Sequence, residues 1–470
     1  MESPPNHKAK FPSGIPYIIG NEAAERFNFY GLKAILTTYL ITQFFNPAGN
    51  PALQQVAEAQ ANEQTHLFNT LTYFLPVAGG LLADWFLGKY KTILWLSLVY
   101  CLGNAMLAGF VTNLHGFMTG LLLIACGAGG IKPCVSANVG DQFDDSNKHL
   151  ITKAFSLFYF SINFGSFFST LLIPVVLTHF GPAVAFGIPG VLMFLATIIF
   201  FIGRKKYVRI PPSGFKKENF IMINLYALFH PSKKIKGESM LSAAKGKYSE
   251  TSIEAVSAVW RVLAVFAFIP VFWALYDQNS SEWVVQATKL DLHIFGITLL
   301  PQQVQAINPI LILAFIPLFS FVLYPKLEKA GFKITPLRKI GAGLVLTALS
   351  FVIIYFIQVA IDEGKTPHVS WQILAYIILT AAEILISITG LEYAYTQAPA
   401  SMKSTLMSFW LLTVSAGNFF VTMINSSISQ KGFFSKFDGA NYYLFFIGVI
   451  SFFAILFFIV SGKMKSEKPG

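Results

Sequence analysis

Four ionisable side chains share one face of a segment that otherwise has the composition of a membrane-spanning helix. They are separated by four, four and three residues: Glu22, Arg26, Tyr30 and Lys33. An α-helix places residues with that spacing on one stripe. A charge at the bilayer centre costs about 2.5–3.5 kcal/mol on insertion scales, so this helix needs a wet interior face where its charges are paired. The stripe is either a packing network or part of a translocation pathway. We favour the pathway, because a buried ion pair is weak evidence for stability.

The composition places this stripe in a polytopic membrane protein. Of the 470 residues, 54% are hydrophobic and only 12% are charged, and the mean hydropathy is +0.58. Soluble domains carry about 25% charged residues. The cysteines, Cys101, Cys126 and Cys134, lie in apolar segments, and we expect them to be reduced, with no disulfide or metal role. Residues 1–10 are polar and the first apolar stretch is too long for a signal peptide, so we expect no cleavable leader.

Spans of about 20 apolar residues divide the chain into twelve predicted helices. Six precede a polar linker, at about 14–44, 65–87, 92–112, 116–138, 155–178 and 183–203. Six follow it, at about 258–284, 304–324, 338–360, 370–396, 404–428 and 441–462. We therefore expect an all-α fold with an N-terminal six-helix bundle at 1–203, a cytoplasmic linker at 204–257 and a C-terminal six-helix bundle at 258–470.

Lysine and arginine are distributed unequally between the two sides of these helices. Of the 34 residues, 26 fall in the termini, the linker and the loops of one side, and four fall in the opposite loops. By the positive-inside rule the richer side is cytoplasmic, so both termini face the cytoplasm. The distribution also explains the net charge of +11 without a nucleic-acid partner. The apolar run 220–229 in the linker is too short to span, so we expect either a surface helix touching anionic lipid or a flexible tether.

The loop between predicted helices 2 and 3, at 79–91, resembles the signature of the major facilitator superfamily. Asp84 and Lys89 hold its acidic and basic positions, and a related loop follows helix 8. The resemblance implies two six-helix halves with substrate bound near the membrane midplane between them. It also gives Asp84 the role of capping or clamping the neighbouring helix ends.

Five further motifs resemble those of the proton-coupled oligopeptide transporter family. The first is Glu22-x-x-Glu25-Arg26-Phe27, and the others lie at 127–143, 158–166, 272–278 and 390–399. The chain is more similar to the animal peptide transporters than to other members. It lacks the large extracellular insert that those carry between helices 9 and 10, because only about 361–370 connect the two here.

A peptide with two charged ends requires a fixed cation and a fixed anion. Arg26 and Lys132 supply cations in the first half, and Glu392 supplies an anion in the second. The resemblance implies the same roles, with Asn163 and Asn308 beside the amino end of the peptide. Two alternatives stay open: Lys132 capping the carbonyls at a helix end, and Asn308 satisfying buried backbone groups.

Aromatic residues near the family positions either line pockets for peptide side chains or pack in the membrane. They are Tyr30, Tyr39, Tyr73, Tyr159, Trp273 and Trp410. Phe29 replaces the first tyrosine of the family's usual pair, so one hydroxyl contact of the family is missing here.

Proton coupling needs a group whose proton affinity changes with substrate and conformation. Glu22 and Glu25 are candidates, because an acid beside Arg26 gains proton affinity when the guanidinium turns to a peptide carboxylate. His66, at the start of predicted helix 2, matches a histidine of the animal transporters, and an unperturbed histidine pKa of about 6.5 suits an acidic exterior. Alternatively it titrates in solvent at an outer loop.

The resemblance also pairs Lys33 with Asp277 as an outer gate, with lysine in place of the more usual arginine.

These residues predict a proton-coupled symporter that imports di- and tripeptides by alternating access. We expect no enzymatic activity, no cofactor besides the coupling proton, no metal and no obligate protein partner. Membrane lipids surround the chain, and we expect a bacterial inner membrane. One alternative is a transporter of the same fold that carries nitrate or a modified metabolite. Another is a membrane sensor, which would need a signalling domain for which we identify no stretch.

Overall fold

The computed structural model describes residues 11–463 apart from 213, 216, 217, 398, 400 and 401, and most of these residues are helical. In chain order the α-helices are α1 (Ile15–Leu40), α2 (Gln54–Leu82), α3 (Lys89–Gly109), α4 (Leu114–Gly140), α5 (Ile151–Phe180), α6 (Pro182–Ile202), α7 (Phe220–Phe229), α8 (Glu250–Phe266), α9 (Ile269–Tyr276), α10 (Glu282–Ala287), α11 (Ile307–Leu318), α12 (Tyr324–Lys329), α13 (Pro336–Asp362), α14 (Ser370–Glu383), α15 (Thr389–Gln397), α16 (Lys403–Ser429) and α17 (Ala440–Lys463). A hairpin of β1 (His293–Ile294) and β2 (Ile297–Thr298) follows α10.

The chain divides into two compact units. The first unit comprises Met1–Leu36 and Phe74–Gly214, and the second comprises Thr37–Tyr73 and Phe215–Gly470. The division points fall inside α1 and α2, so the end of α1 and most of α2 belong to the second unit. The predicted domains at 1–203, 204–257 and 258–470 stay a prediction, and their residues 1–10 and 464–470 lie outside the described part of the chain.

Ten helical segments in the described residues are long and apolar enough to cross a membrane. The pair Glu250–Phe266 and Ile269–Ala287, bent by 44°, brings the number to as many as eleven. Helix α1 is not among them, because its charged stripe lowers its hydropathy. With α1 included, the segments correspond to the twelve predicted helices.

Predicted helix 2 begins earlier than hydropathy indicated. It was expected from residue 65, but α2 begins at Gln54, after a 3-10 turn at Pro51–Leu53 that the Asn50 side chain caps. Residues 54–64 are mostly alanine, glutamine and glutamate, which favour helix but are too polar to resemble a span. His66 therefore lies well inside the helix, which corrects its predicted position at the helix start.

Two predicted helices are interrupted. Helix 7, expected as one segment at 258–284, is divided into α8, α9 and α10, with a 3-10 turn at Asp277–Ser280. Pro270 in the first turn of α9 lacks the N–H that would continue the helix from α8, which explains the bend. Helix 10, expected at 370–396, contains a π-helical segment at Ile384–Ile388 between α14 and α15. Such segments are frequent at functional sites.

Close packing in the first unit positions α4. At Gly79 of α2, an added Cβ would overlap the carbonyl oxygen of Gly129, so only glycine permits this approach.

The second unit has its own buried aromatic core. Trp283 is fully buried there, with its ring 4.9 Å from that of Tyr376.

The linker contains a packed surface helix. The rings of Phe220 in α7 and Trp260 in α8 are tilted against each other with centroids 5.8 Å apart, and Trp260 Nε1 donates to Asn224 Oδ1 at 2.9 Å. The hydroxyls of Ser249 and Ser252 each donate to Glu218 at 2.6 Å and hold the pKa of that carboxyl below its ordinary value. The described part of the linker is therefore ordered by specific contacts.

Candidate functional site

Two buried carboxylates in the first unit hold Arg26. Its Nε lies 2.6 Å from Glu22 Oε1 and 3.2 Å from Glu25 Oε2. Glu22 is 1% exposed and Glu25 is 0% exposed, whereas the Arg26 side chain keeps 12% of its surface accessible. With both acids ionised the three residues carry one net negative charge, which is costly in an apolar segment. A single proton on either acid neutralises the group without removing Arg26 from its partner.

The ammonium of Lys132 on α4 contacts the ring of Phe29, which lies on the same helix as Arg26 and its two acids. Its Nζ is 3.8 Å from the centroid of the Phe29 ring, and that ring meets Tyr30 edge-on at 5.4 Å. Helix α4 continues to Gly140, two turns beyond Lys132, so the lysine is not at a helix end as the capping alternative requires. Helices α1 and α4 thus bring together the predicted cations and Tyr30.

The two predicted residues of α5 have different environments. Asn163 is 5% exposed, and its Nδ2 donates to the carbonyl oxygen of Tyr159 at 2.9 Å, one turn back. The Tyr159 side chain is 41% exposed. One donor of the predicted amide is therefore used within its own helix, and Tyr159 is much more exposed than the two acids that hold Arg26.

In the second unit, an acid absent from our predictions lies next to Asn308. Asn308 Nδ2 donates to Glu383 Oε2 at 2.9 Å and to Thr380 Oγ1 at 3.0 Å. Glu383 is the last residue of α14, directly before the π-helical segment. The sequence did hold a signal for it, because a lone acid inside the apolar stretch of a predicted span marks a functional position. The Asn308 amide therefore donates to two side chains of α14, and not to the backbone groups of the alternative interpretation.

Glu392 does not occupy the position that we predicted for it. Its side chain is 52% exposed, and its Oε2 lies 3.1 Å from Lys339 Nζ. Glu392 follows Glu383 by nine residues, a rise of about 13 Å along a helix, so the two acids lie at different depths. The acid beside Asn308 is Glu383, and Glu392 forms an ion pair with Lys339 in the first turn of α13.

The predicted aromatic residues of the second unit are partly brought together. The rings of Trp273 and Trp410 are 6.2 Å apart and nearly perpendicular, and Trp410 is 6% exposed. Trp273 Nε1 is buried and has no hydrogen-bond partner among the described residues. Tyr39 packs edge-on against Phe44 at 5.8 Å, and Tyr73 is half-buried on α2.

His66 is fully buried in the second unit, which contradicts the alternative of a solvent-exposed loop histidine. Its Nδ1 lies 2.7 Å from Asn418 Oδ1, and its Nε2 lies 2.9 Å from Ser281 Oγ. Asn418 Nδ2 donates to Asp277 Oδ2 at 2.6 Å, so Asn418 Oδ1 is the acceptor that faces the histidine. Nδ1 must then carry a hydrogen, which leaves Nε2 as the nitrogen that gains or loses a proton.

The predicted gate residues belong to different units. Lys33 is 6% exposed in the first unit, with its Nζ 5.7 Å from the Phe29 ring centroid, and Asp277 is 4% exposed in the second. Their pairing stays a prediction. The Nζ of Lys89, the first residue of α3, is 2.6 Å from Asp141 Oδ2, so Asp141, at the end of α4, pairs with the basic residue of the signature. The backbone carbonyl of Asp84 accepts from the N–H of Gly214 at 3.2 Å.

Comparison with known sequences gives a consistent assignment. A family profile described as PTR2, the POT family, matches residues 90–438. The chain is 39% identical to "Peptide transporter family 1" of Drosophila melanogaster over 75% of this chain and 48% of that protein. It is 36% identical to "Solute carrier family 15 member 2" of Homo sapiens over 82% of this chain and 54% of that protein. The chain spans about half the length of the curated relatives it matches.

Solved structures resemble the chain along nearly all of its length. The "POT family transporter PepTSo" is 41% identical, with a TM-score of 0.89, over 96% of this chain and 98% of that one. An "auto inhibited POT family peptide transporter" is 38% identical, with a TM-score of 0.90, over 97% of this chain and 98% of that one. These similarities confirm the predicted all-α, multi-pass fold of the major facilitator type.

Proposed function

The chain belongs to the POT family, and from that premise we propose that it is a proton-coupled symporter that imports di- and tripeptides by alternating access. The observation that carries the proposal is the arrangement of Arg26 between two buried carboxylates, Glu22 and Glu25. It joins a peptide-binding cation directly to groups that can take up a proton. Uptake of a labelled dipeptide into proteoliposomes under an imposed pH gradient tests the proposal.

The two ends of the peptide bind opposite charges in this proposal. Arg26 and Lys132 of the first unit attract the peptide carboxylate. Glu383 of the second unit, oriented by Asn308, attracts the amino group. The peptide side chains would lie near aromatic surfaces such as those of Trp273 and Trp410, whose rings are 6.2 Å apart. Such a site binds the two charged ends, which all peptides share, and tolerates different side chains between them. It therefore suits substrates of variable sequence.

Coupling follows from competition for Arg26. When the guanidinium turns toward a peptide carboxylate, Glu22 and Glu25 lose their cation in an apolar environment. Uptake of a proton then removes the cost of the unpaired charge. One proton moving through about 100 mV supplies roughly 2.3 kcal/mol, and one pH unit adds about 1.36 kcal/mol. Together these would sustain a peptide gradient of a few hundred-fold, since each 1.4 kcal/mol is about tenfold.

The charge pattern argues against nitrate as the substrate. Glu383 next to Asn308 would repel an anion, whereas it suits the ammonium end of a peptide. No chemical change of the substrate and no cofactor other than the proton enters this account.

Orientation and lipid contacts complete the proposal. The excess of lysine and arginine in one set of loops supports cytoplasmic termini, and the short connection of Glu363 to Val369 between α13 and α14 supports a compact bacterial inner-membrane protein. Helix α7 exposes Ile221, Leu228 and Phe229, which are 53%, 60% and 74% accessible, and would rest against membrane lipid.

A further inference from the structure

A cavity of about 320 Å³ lies within the second unit, where the ends of several helices meet. Its walls come from the start of α2, from α10 and Lys289 after it, from the ends of α13 and α16, and from the start of α17. The lysine and arginine distribution assigns these helix ends to the exterior side of the membrane. The cavity is therefore on the side opposite the chain termini.

Acidic side chains dominate the charged lining of this cavity. It is lined by four carboxylates, those of Glu58, Glu282, Asp362 and Asp438, and Lys289 is the one cation among its described lining residues. Lys289 Nζ lies 3.4 Å from Glu58 Oε1, and 39% of the lysine side chain is exposed. The cavity thus already holds one ammonium group of the chain itself. An acidic lining suits a cation, but it does not by itself identify a binding site.

Hydrogen bonds orient two of these acids. Glu282 Oε2 accepts from Asn62 Nδ2 of α2, whereas Glu282 Oε1 has no hydrogen-bond partner among the described residues and keeps accessible surface. Asp362 accepts from Gln358 Nε2 and from the backbone N–H of Ala440, each at 2.8 Å. The Glu282 carboxylate is therefore held in place with one oxygen open to the cavity that the residue lines.

The hydroxyl of Tyr443 supplies the second, independent observation. Tyr443 is only 3% exposed, yet its hydroxyl has no hydrogen-bond partner among the described residues and is not closed off from solvent. Its remaining surface faces the cavity that the residue lines, and Glu282 and two other acids of the lining lie within electrostatic range of it. The neighbouring Tyr442 differs, because its hydroxyl accepts from Asn425 Nδ2 at 3.2 Å. Tyr443 thus presents a buried, unused acceptor beside the acids.

The placement of the acids favours an extended organic cation over a metal ion. A metal ion such as Ca²⁺ or Mg²⁺ is held by several oxygen atoms within about 2.0–2.6 Å of it. In the part of the chain that the structure describes, no three histidine, cysteine, aspartate or glutamate side chains lie close enough together to hold one. The four carboxylates instead belong to four separate segments that line one cavity. A molecule with more than one ammonium group can reach more than one of them.

We propose that this cavity binds an organic cation that carries at least two primary ammonium groups. One ammonium donates to Glu282 Oε1 and to the Tyr443 hydroxyl, and a second takes the place of the Lys289 ammonium at Glu58. Such a cation is either a free polyamine or a peptide with a lysine side chain beside its amino end, and only the peptide source rests on the proposed transport function. None of the lining residues belongs to the proposed peptide contacts, so this site is separate from them.

Binding of spermidine to the full-length chain in an uncharged detergent tests the proposal without reference to transport, and isothermal titration calorimetry measures it. Glu282→Gln keeps the acceptor for Asn62 but removes the charge. It should weaken spermidine binding at least about tenfold, the change expected from losing one charge-assisted hydrogen bond. Tyr443→Phe removes only a hydroxyl and should weaken binding about two- to tenfold, the range of an uncharged hydrogen bond.

A variant with the opposite sign separates a specific site from a general loss of structure. Lys289→Met removes the ammonium that competes for Glu58 and should tighten spermidine binding up to about fivefold, the range of an exposed ion pair. Glu363→Gln is the matched control. Glu363 is an acid next to Asp362 whose side chain is 54% exposed and does not line the cavity, so its replacement should leave spermidine binding unchanged.

Competition distinguishes the two sources of the cation. Displacement of spermidine by lysyl-alanine but not by dialanine would support a peptide with a basic side chain, and displacement by neither would support a free polyamine. Displacement by dialanine, which has a single ammonium group, would contradict the requirement for two. Equal affinity for spermidine in the Glu282→Gln, Tyr443→Phe and unaltered proteins, or no saturable binding of spermidine, would overturn the proposal.

Discussion

Asn308 donates a hydrogen bond from Nδ2 to Oε2 of Glu383 over 2.9 Å, joining α11 to the end of α14. The π-helical segment that begins at the next residue, Ile384, changes which face of the helix the following residues present. Glu383 is thereby held beside an amide, whereas the exposed Glu392 pairs with Lys339 in the first turn of α13. Two acids of one predicted helix thus lie in different environments.

The two glutamates form a matched pair for mutation. Glu383→Gln keeps the size and the contact to Asn308 but removes the charge that attracts a peptide ammonium. We expect the KM for a dipeptide to rise roughly ten- to a hundredfold, the range of a hydrogen bond between charged groups. Glu392→Gln should leave KM within about twofold of the unaltered protein, because an exposed ion pair contributes little. A large rise in KM for Glu392→Gln with little change for Glu383→Gln would instead assign the contact with the peptide amino group to Glu392.

Glu22→Gln separates coupling from binding. The amide can still accept from Arg26 Nε, whose present contact to Glu22 Oε1 is 2.6 Å, but it cannot take up a proton. We expect gradient-driven accumulation to fall to the level of the uncoupled control, while exchange of labelled for unlabelled peptide across the membrane continues. Loss of both activities would show that Glu22 serves binding or folding instead.

Arg26 variants test the carboxylate contact. Arg26→Ala removes the cation that pairs with the peptide carboxylate in this proposal and should reduce dipeptide affinity at least about thirtyfold, since truncating one partner of a buried charge pair across an interface costs about 2–5 kcal/mol. Arg26→Lys keeps the positive charge but lacks the planar, two-pronged guanidinium. Its dipeptide affinity should lie between those of Arg26→Ala and the unaltered protein. Direct binding to purified protein gives the measurement, and a stability scan controls for unfolding. Unchanged affinity in Arg26→Ala would remove this residue from the peptide site.

His66→Gln examines the buried hydrogen-bonded group of the second unit. Glutamine can bond to Asn418 and Ser281 but cannot be protonated between pH 5.5 and 8. Because only Nε2 of His66 is available for a second proton, we expect the variant to lose the rise of uptake at acidic pH that an imidazole provides. Asn418→Leu, which removes the acceptor for Nδ1, should shift the pH profile without abolishing it. A profile identical to that of the unaltered protein in both variants would assign the titration to Glu22 or Glu25.

The sequence predicted best what depends on local spacing. The pairing of Glu22 with Arg26 follows from a four-residue step on one helix, and the structure has that contact. The position of His66 was wrong, because residues 54–64 form helix without the hydropathy of a span. Glu383 carried a signal, as an acid inside an apolar stretch, but its contact with Asn308 depends on the packing of α11 against α14, which the sequence does not show. The partner of Lys89, Asp141, lies 52 residues away, and only the packing of α3 against α4 joins them.

The measurement that tests the central claim most directly is accumulation of a labelled dipeptide in proteoliposomes of the purified chain, with the outside one pH unit more acidic. We predict that internal dipeptide rises above the external concentration, that a protonophore abolishes the rise, and that an equal concentration of nitrate does not compete. Internal dipeptide that never exceeds the protonophore control would contradict proton-coupled peptide transport by this chain.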